Sequence, residues 1–188
     1  MHQPPTLCDA TRSLLLVVDI QPALTTAMPE QEAELMLNNT ASLLQAAGTL
    51  GIPVLLTEQY PKGLGTTEPS LLEQLPAAAR KFEKTGFSCC AAEGFAKALA
   101  DTGRDQIIMV GQETHVCVLQ TAFDLLNRGL PLFVAEDATC SRQSTHKLFA
   151  LERMRTAGAT ITNYESVLFE WLRDAAHPDF KTLSKLLR

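Results

Sequence analysis

The sequence predicts an α/β domain in which a mostly parallel sheet is covered by helices on both faces. Short β-branched and apolar runs alternate with longer segments of helical periodicity along the chain, the pattern that strand–helix–strand connections impose. The first run, Ser13 to Ile20 (SLLLVVDI), is apolar at successive positions from Leu14 to Val18, as a central parallel strand buried on both faces requires. No internal repeat, low-complexity segment or linker divides the 188 residues, and that length suits one such domain with a substantial core.

Residues 1–12 (MHQPPTLCDATR) are polar and proline-containing, so an arm is expected there, with His2 and Cys8 solvated and the domain running over residues 13–188. The strand Ser13 to Ile20 closes on Asp19. A carboxylate at the C-terminal end of a central strand stands where open α/β sheets build their sites, although Gln21-Pro22 also allows it to cap a turn. Pro29 to Gly48 has the composition of a helix, with Gly48 or Gly51 as its stop. Pro53 to Thr57 is the next strand. The loop Glu58 to Glu68 leaves it, punctuated by glycine and proline and overhanging the same rim; Tyr60 there either walls a pocket or packs on the loop. Ser70 to Ala79 has the pattern of a short helix. Lys81 to Cys90 (KFEKTGFSCC) breaks the periodicity, and a lone lysine such as Lys84 is ordinarily a solvated surface group. Cys89 and Cys90 are expected as buried small residues near a helix start, and Ala91 to Ala100 as a helix containing Gly94.

Ile107 to Val110 is a strand ended by Gly111, and a helical pattern runs from Val116 through Leu119, Ala122, Phe123 and Leu126. Thr114 is placed as its N-cap, which puts Cys117 in the first turn. A thiol there is expected to ionise more easily, because the dipole and free backbone N–H groups favour the thiolate. The same groups suit the oxygen of an attacked carbonyl. The plainer alternative is a small buried hydrophobe. Beyond it, Leu132 to Ala135 is a strand running into Glu136-Asp137-Ala138, Ser144 to Ala157 a helix, Ala159 to Thr162 a last strand, and Ser166 to Ala175 and Asp179 to Leu187 two helices broken at His177-Pro178.

A net charge of −5 and a pI near 5.4 give no electrostatic footprint for nucleic acid or an anionic membrane. Small molecules or protein surfaces remain as partners. The apolar run Leu14 to Val18 is too short for a signal peptide or a membrane span, so cytoplasmic residence is the expectation. The 5 cysteines and 4 histidines form no CxxC, HxH or HExxH pattern, and no metal site is expected.

Asp19, Lys84 and Cys117 therefore stand as an acid, a cation and a thiol near strand ends or a helix start, the set that attack on an acyl carbonyl needs. Three stretches carry a resemblance: LLLVVDIQ with its D-x-Q, KTGFS with the lysine, and VGQETHVCVLQTAFDLLNRG followed by a strand ending in EDA. They resemble the isochorismatase-like cysteine hydrolases, the superfamily of nicotinamidases, N-carbamoylsarcosine amidase and isochorismatase. TEQYPKGLG, GQETHVCV and DAAHPDFK look like its branch of YcaC and the isochorismatase-domain-containing proteins, which has no settled substrate.

The resemblance implies a three-layer Rossmann-like fold with a six-stranded sheet, a homo-oligomer, and a catalytic triad of Asp19, Lys84 and Cys117. It also implies a non-proline cis peptide between Gln112 and Glu113 that aims the N–H groups of Glu113 and Cys117 at one oxyanion hole. One departure matters. Nicotinamidases place an aspartate and histidines after the second strand to hold a metal, where this chain has Thr57-Glu58-Gln59-Tyr60; no metal or other cofactor is expected, and nicotinamide is disfavoured. Isochorismatases proper lack the nucleophilic cysteine. A metal-independent hydrolase of a small amide or related C–N bond, working through a thioester, is the resulting expectation. Gln21, Tyr60, Phe87 and His115 are further pocket candidates, His115 being equally well a surface or core histidine. The competing expectation is a catalytically silent or redox-responsive thiol protein whose oligomer is a scaffold. A dinucleotide-binding domain shares the fold class but would need a G-x-G-x-x-G or Walker segment after the first strand, which is absent.

Overall fold

The computed structural model describes residues 6–187. Among these residues the strands are β1 (Ser13–Val18), β2 (Val54–Gln59), β3 (Arg80–Lys84), β4 (Gln106–Gln112), β5 (Leu132–Cys140) and β6 (Thr160–Thr162). The α-helices are α1 (Pro22–Thr25), α2 (Glu30–Leu50), α3 (Pro61–Leu64), α4 (Pro69–Leu72), α5 (Phe95–Asp101), α6 (Leu119–Asn127), α7 (Ser144–Thr156), α8 (Tyr164–Leu172) and α9 (Phe180–Leu183). All six strands pair in parallel in the order β3-β2-β1-β4-β5-β6, a three-layer Rossmann-like arrangement.

Strand parity sorts the core into two. Leu15, Val17, Leu56 and Ile108 point to the side covered by α2 and α8, while Leu14, Leu16, Leu55 and Ile107 point to the side covered by α5, α6 and α7. β1 is buried at every position; its one polar side chain, Ser13, accepts from Trp171 Nε1 at 2.9 Å, and the next stands just beyond its end. Gly111 in β4 has φ +122, and a Cβ there would stand 2.1 Å from the Val18 carbonyl oxygen. Only glycine lets the ends of β1 and β4 come this close, and those ends frame the crevice described below. No helix among the described residues is long and apolar enough to cross a membrane.

Several expectations change. The sheet gains β3, which Lys81 to Cys90 did not suggest: RKFEK is an edge strand paired only to β2, and its charged, mostly exposed residues carry no apolar signal while protecting the edge. The helix expected over Ser70 to Ala79 is the single turn Pro69–Leu72, because Pro76 cannot continue it. Gly94 is not inside a helix; with φ +75 it precedes α5, after a 3₁₀ turn at Cys89–Ala91. The final helix is split into α9 and a 3₁₀ turn, Ser184–Leu187.

Cys8 is fully buried, not solvated. Its N–H donates to Glu170 Oε2 at 2.6 Å and its carbonyl accepts from Arg173 at 2.9 Å, so the segment is pinned to the end of α8. His2 lies outside the described residues.

Candidate active site

Strand order reverses between β1 and β4, and this opens the crevice at their C-terminal ends that open α/β sheets use for ligands. Asp19 directly follows β1, Lys84 ends β3 and Cys117 follows β4. The fold brings all three to this rim, although Lys84 and Cys117 lie 65 and 98 positions from Asp19 in the chain.

Asp19 is fully buried with φ +49. By parity it belongs with Leu15 and Val17 on the α2 side; the left-handed backbone turns it instead toward Thr57 on the other side. Its Oδ1 accepts from Thr57 Oγ1 at 2.7 Å and its Oδ2 from Lys84 Nζ at 2.6 Å. Lys84 also donates to Gln59 Oε1 at 2.7 Å, to the Phe87 carbonyl at 2.9 Å and to the Gly86 carbonyl at 3.2 Å. Neither charged side chain touches solvent. An ion pair this dry persists only where further hydrogen bonds replace lost water, and these carbonyls and amides supply them. The surface role ordinarily expected of a lone lysine does not hold for Lys84.

Cys117 sits in a π-helical turn, Thr114–Val118, that leads into α6. Thr114 is not the N-cap: its hydroxyl donates to the Cys140 carbonyl at 2.9 Å, and Glu113 occupies the cap position without a side-chain capping bond. The Gln112–Glu113 peptide is cis. Gln112 is tied through its amide to the Asp19 carbonyl at 3.3 Å and to Thr25 Oγ1 at 3.0 Å, which links the ends of β1 and β4.

The thiol does not ionise easily. Burial pushes the Cys117 pKa up, the Asp19 carboxylate raises it further, and Lys84 offsets only part of this. The expected effect of a helix start is overridden because a desolvated thiolate beside a carboxylate loses more than a dipole returns. At rest Cys117 is therefore a thiol, with Asp19 near enough to oppose its ionisation. A second thiol lies behind it: Cys89 Sγ is 3.3 Å from Thr57 Oγ1 and its N–H donates to Thr121 at 2.9 Å. Burial and Asp19 push that thiol up to about 12.

Cys8, Cys89, Cys117 and Cys140 all have raised thiol pKa values with burial as the largest cause. In the unfolded chain these thiols ionise near 9.0, whereas folded Cys89 and Cys140 hold their protons to about 12. Above pH 9 the unfolded state thus sheds protons that the folded state keeps. The sign is a loss of stability with rising pH, at most about 1.4 kcal/mol per pH unit for each thiol. Urea midpoints measured from pH 7.5 to 10.5 are expected to be flat at first and then fall; a midpoint that rises above pH 9 contradicts the burial of these groups.

Beside Cys117 opens a cavity of about 510 Å³. Leu24, Tyr60, Leu64, Phe87 and Val116 give it apolar walls, and Gln59, Thr85 and Glu113 complete the lining with Cys117. Tyr60 and Phe87, 53% and 51% exposed, are the aromatic walls. Gln21 and His115 do not line it. Gln21 is fully buried and braces the overhanging loop: its amide donates to the Gln59 and Gly65 carbonyls at 3.0 and 2.6 Å and accepts from the Gln59 N–H at 2.7 Å. His115 pairs with Ser141 Oγ at 3.0 Å and packs its ring on His146 at 4.8 Å; burial lowers its pKa. The reading of the sequence missed Thr57, Gln59 and the Glu113 side chain. The only signal for Gln59 was its place beside Tyr60, since its partner Lys84 stands opposite it on a strand that was not anticipated.

A parallel α/β sheet with an acid, a buried ammonium and a thiol at its switch point places the chain among Rossmann-like folds with a polar strand-end site. More particularly, residues 13–166 match the isochorismatase domain, and the chain belongs to the isochorismatase family. It is 43% identical over 146 residues to isochorismatase domain-containing protein 1 of Danio rerio, covering 78% of this chain but 51% of that protein, so it matches about half of that relative's length. With isochorismatase domain-containing protein 2 of the same fish it shares 42% identity over 154 residues, covering 81% of this chain and 76% of that one. Among solved structures it is similar to one described as the MAR1 ribonuclease of Caenorhabditis elegans (TM-score 0.91, 38% identity, 97% of this chain and 92% of that chain). Two YcaC proteins are also similar. That of Pseudomonas aeruginosa, with hexane-2,5-diol and covalent acrylamide, has a TM-score of 0.91 and 28% identity over 98% of this chain and 92% of that chain. That of Escherichia coli, described as an octameric hydrolase of unknown specificity, has a TM-score of 0.84 and 27% identity over 97% of each chain.

Proposed function

We propose that the chain is a metal-independent cysteine hydrolase that cleaves a small amide or related C–N bond through a thioester on Cys117. The observation that carries this reading is the dry Lys84–Asp19 pair, 2.6 Å between charges, set against a thiol that opens on an apolar cavity.

In this scheme Asp19 takes the thiol proton as sulfur attacks the carbonyl carbon, so the thiolate never has to stand alone in a site that disfavours it. Lys84 holds the carboxylate oriented until that moment through its 2.6 Å hydrogen bond. The carbonyl π electrons move to oxygen, and the resulting oxyanion rests on the N–H groups of Glu113 and Cys117. As the tetrahedral intermediate collapses, the C–N bond breaks and protonated Asp19 gives its proton to the leaving nitrogen, which leaves the acyl group on sulfur. A water that loses its proton to Asp19 then adds to the thioester. Collapse of this second intermediate releases the acid, and the thiol is restored.

The relatives lend support: one YcaC carries covalent acrylamide, and another is described as an octameric hydrolase, which favours a reactive thiol and a homo-oligomer here also. The redox-responsive alternative has less behind it, because a thiol held protonated by burial reacts slowly with peroxide. The worm relative's description as a ribonuclease is set against a net charge of −5 and an apolar cavity wall, which give a phosphodiester little to hold, and no nucleic acid is proposed as substrate.

The test is stopped-flow release of nitrophenol from small nitrophenyl esters, followed by turnover of a panel of amides, ureides and carbamoyl compounds. A burst approaching one nitrophenol per chain, then a slower steady rate, is the expected result. No burst with any ester and no turnover of any member of the panel would end the hydrolase reading.

A further inference from the structure

We propose that this cleft selects substrates whose acyl group is uncharged and apolar, and that the Glu113 carboxylate turns away those bearing a carboxylate; this rests on the hydrolase reading above. The walls beside Cys117 are Leu24, Leu64, Val116 and the two aromatic rings, so an acyl group bound there gives up its water. An ionised carboxylate in such a place needs a cation or several donors to replace that water.

Among the described residues that line this cavity none is a lysine or arginine. Lys84 is spent on Asp19, Gln59 and two backbone carbonyls and has no solvent-facing side-chain surface. Lys62 lines a separate cavity that shares only Tyr60 and Thr85 with this one. Arg142 is turned to Glu113, its Nε 3.0 Å and its backbone N 3.2 Å from Oε2, with 59% of its side chain in solvent. Both bonds fall on one carboxylate oxygen; Glu113 belongs to the cavity lining and Arg142 does not. An anionic acyl group therefore meets apolar walls and stands beside Glu113, whose partner guanidinium is not part of the lining.

The experiment compares acylation rates at pH 7.5 for three esters: 4-nitrophenyl benzoate, the 4-nitrophenyl monoester of terephthalate, and the methyl ester of that monoester, which has its size without its charge. The benzoate and the methyl ester are expected within a few-fold of each other, and the carboxylate at least about thirtyfold slower. Glu113→Gln removes the negative wall and releases Arg142, so it should narrow the gap to a few-fold. Arg142→Gln, a change at an exposed side chain, should widen it, which keeps a test in hand where the Glu113 variant does not fold.

Equal rates for the carboxylate and its methyl ester overturn the selectivity while leaving the hydrolase intact. A gap that neither variant moves removes Glu113 as its cause. No acylation by any of the three is a failure of the hydrolase reading itself.

Discussion

Cys117→Ala is expected to lose turnover by roughly four to six orders of magnitude, the scale seen when a nucleophile that works as part of a unit is removed, and to form no covalent adduct with any ester. The fold should survive. Cys117 is almost fully buried but borders the cavity, so removing its sulfur enlarges a space that already exists instead of opening a new void in the core. The change also deletes one thiol whose ionisation burial opposes, so the variant should lose less stability than the native chain above pH 9. Steady-state rates and urea midpoints at pH 7.5 and 10 measure both effects. Full activity in the alanine variant would mean that another group attacks the substrate.

Lys84→Met acts on both stability and chemistry. The ammonium stands 2.6 Å from Asp19 with neither side chain exposed, and removing one partner of such a pair leaves the other buried and uncompensated, at about 3–5 kcal/mol. It also leaves Gln59 Oε1 and the Phe87 carbonyl without the donor they now share. Urea denaturation at pH 7.5 is expected to show that loss, together with a fall in acylation rate of at least about a hundredfold. Lys84→Arg should not rescue it, because a planar guanidinium cannot fill a pocket shaped around a point charge. A methionine variant as stable as the native chain would show that the pair contributes no net stabilisation.

The alternation of apolar runs and helical periodicity was enough to anticipate the layers, because central parallel strands and amphipathic helices leave their burial pattern in the residue order. β3 left no such pattern. Its exposed edge is written in charges, and strand propensity says little where one face and one edge meet water. Asp19 could be located from the strand it ends, and Cys117 from the strand–turn–helix unit that carries it. Lys84 could not be placed by local pattern: besides the nearby Gly86 and Phe87 carbonyls, its burial depends on Asp19 and Gln59, which are distant in the chain. The misjudged ionisation of Cys117 has the same origin, since the dipole can be inferred from a helix start but the burial that outweighs it, with Asp19 adding to it, comes from the packed fold. Cys8, expected in solvent, is held by α8 residues more than 160 positions away.

One measurement bears most directly on the claim that Asp19, Lys84 and Cys117 act as one unit. A nitrophenyl ester reaction is quenched in acid during its first turnover, the chain is digested, and the acyl group is located among the 5 cysteines in the native protein and in Asp19→Asn. The label is expected on Cys117 in the native chain and to be lost or severely slowed in the variant. A label on Cys90 or any other residue, or one that reaches Cys117 as fast without the carboxylate, contradicts that claim.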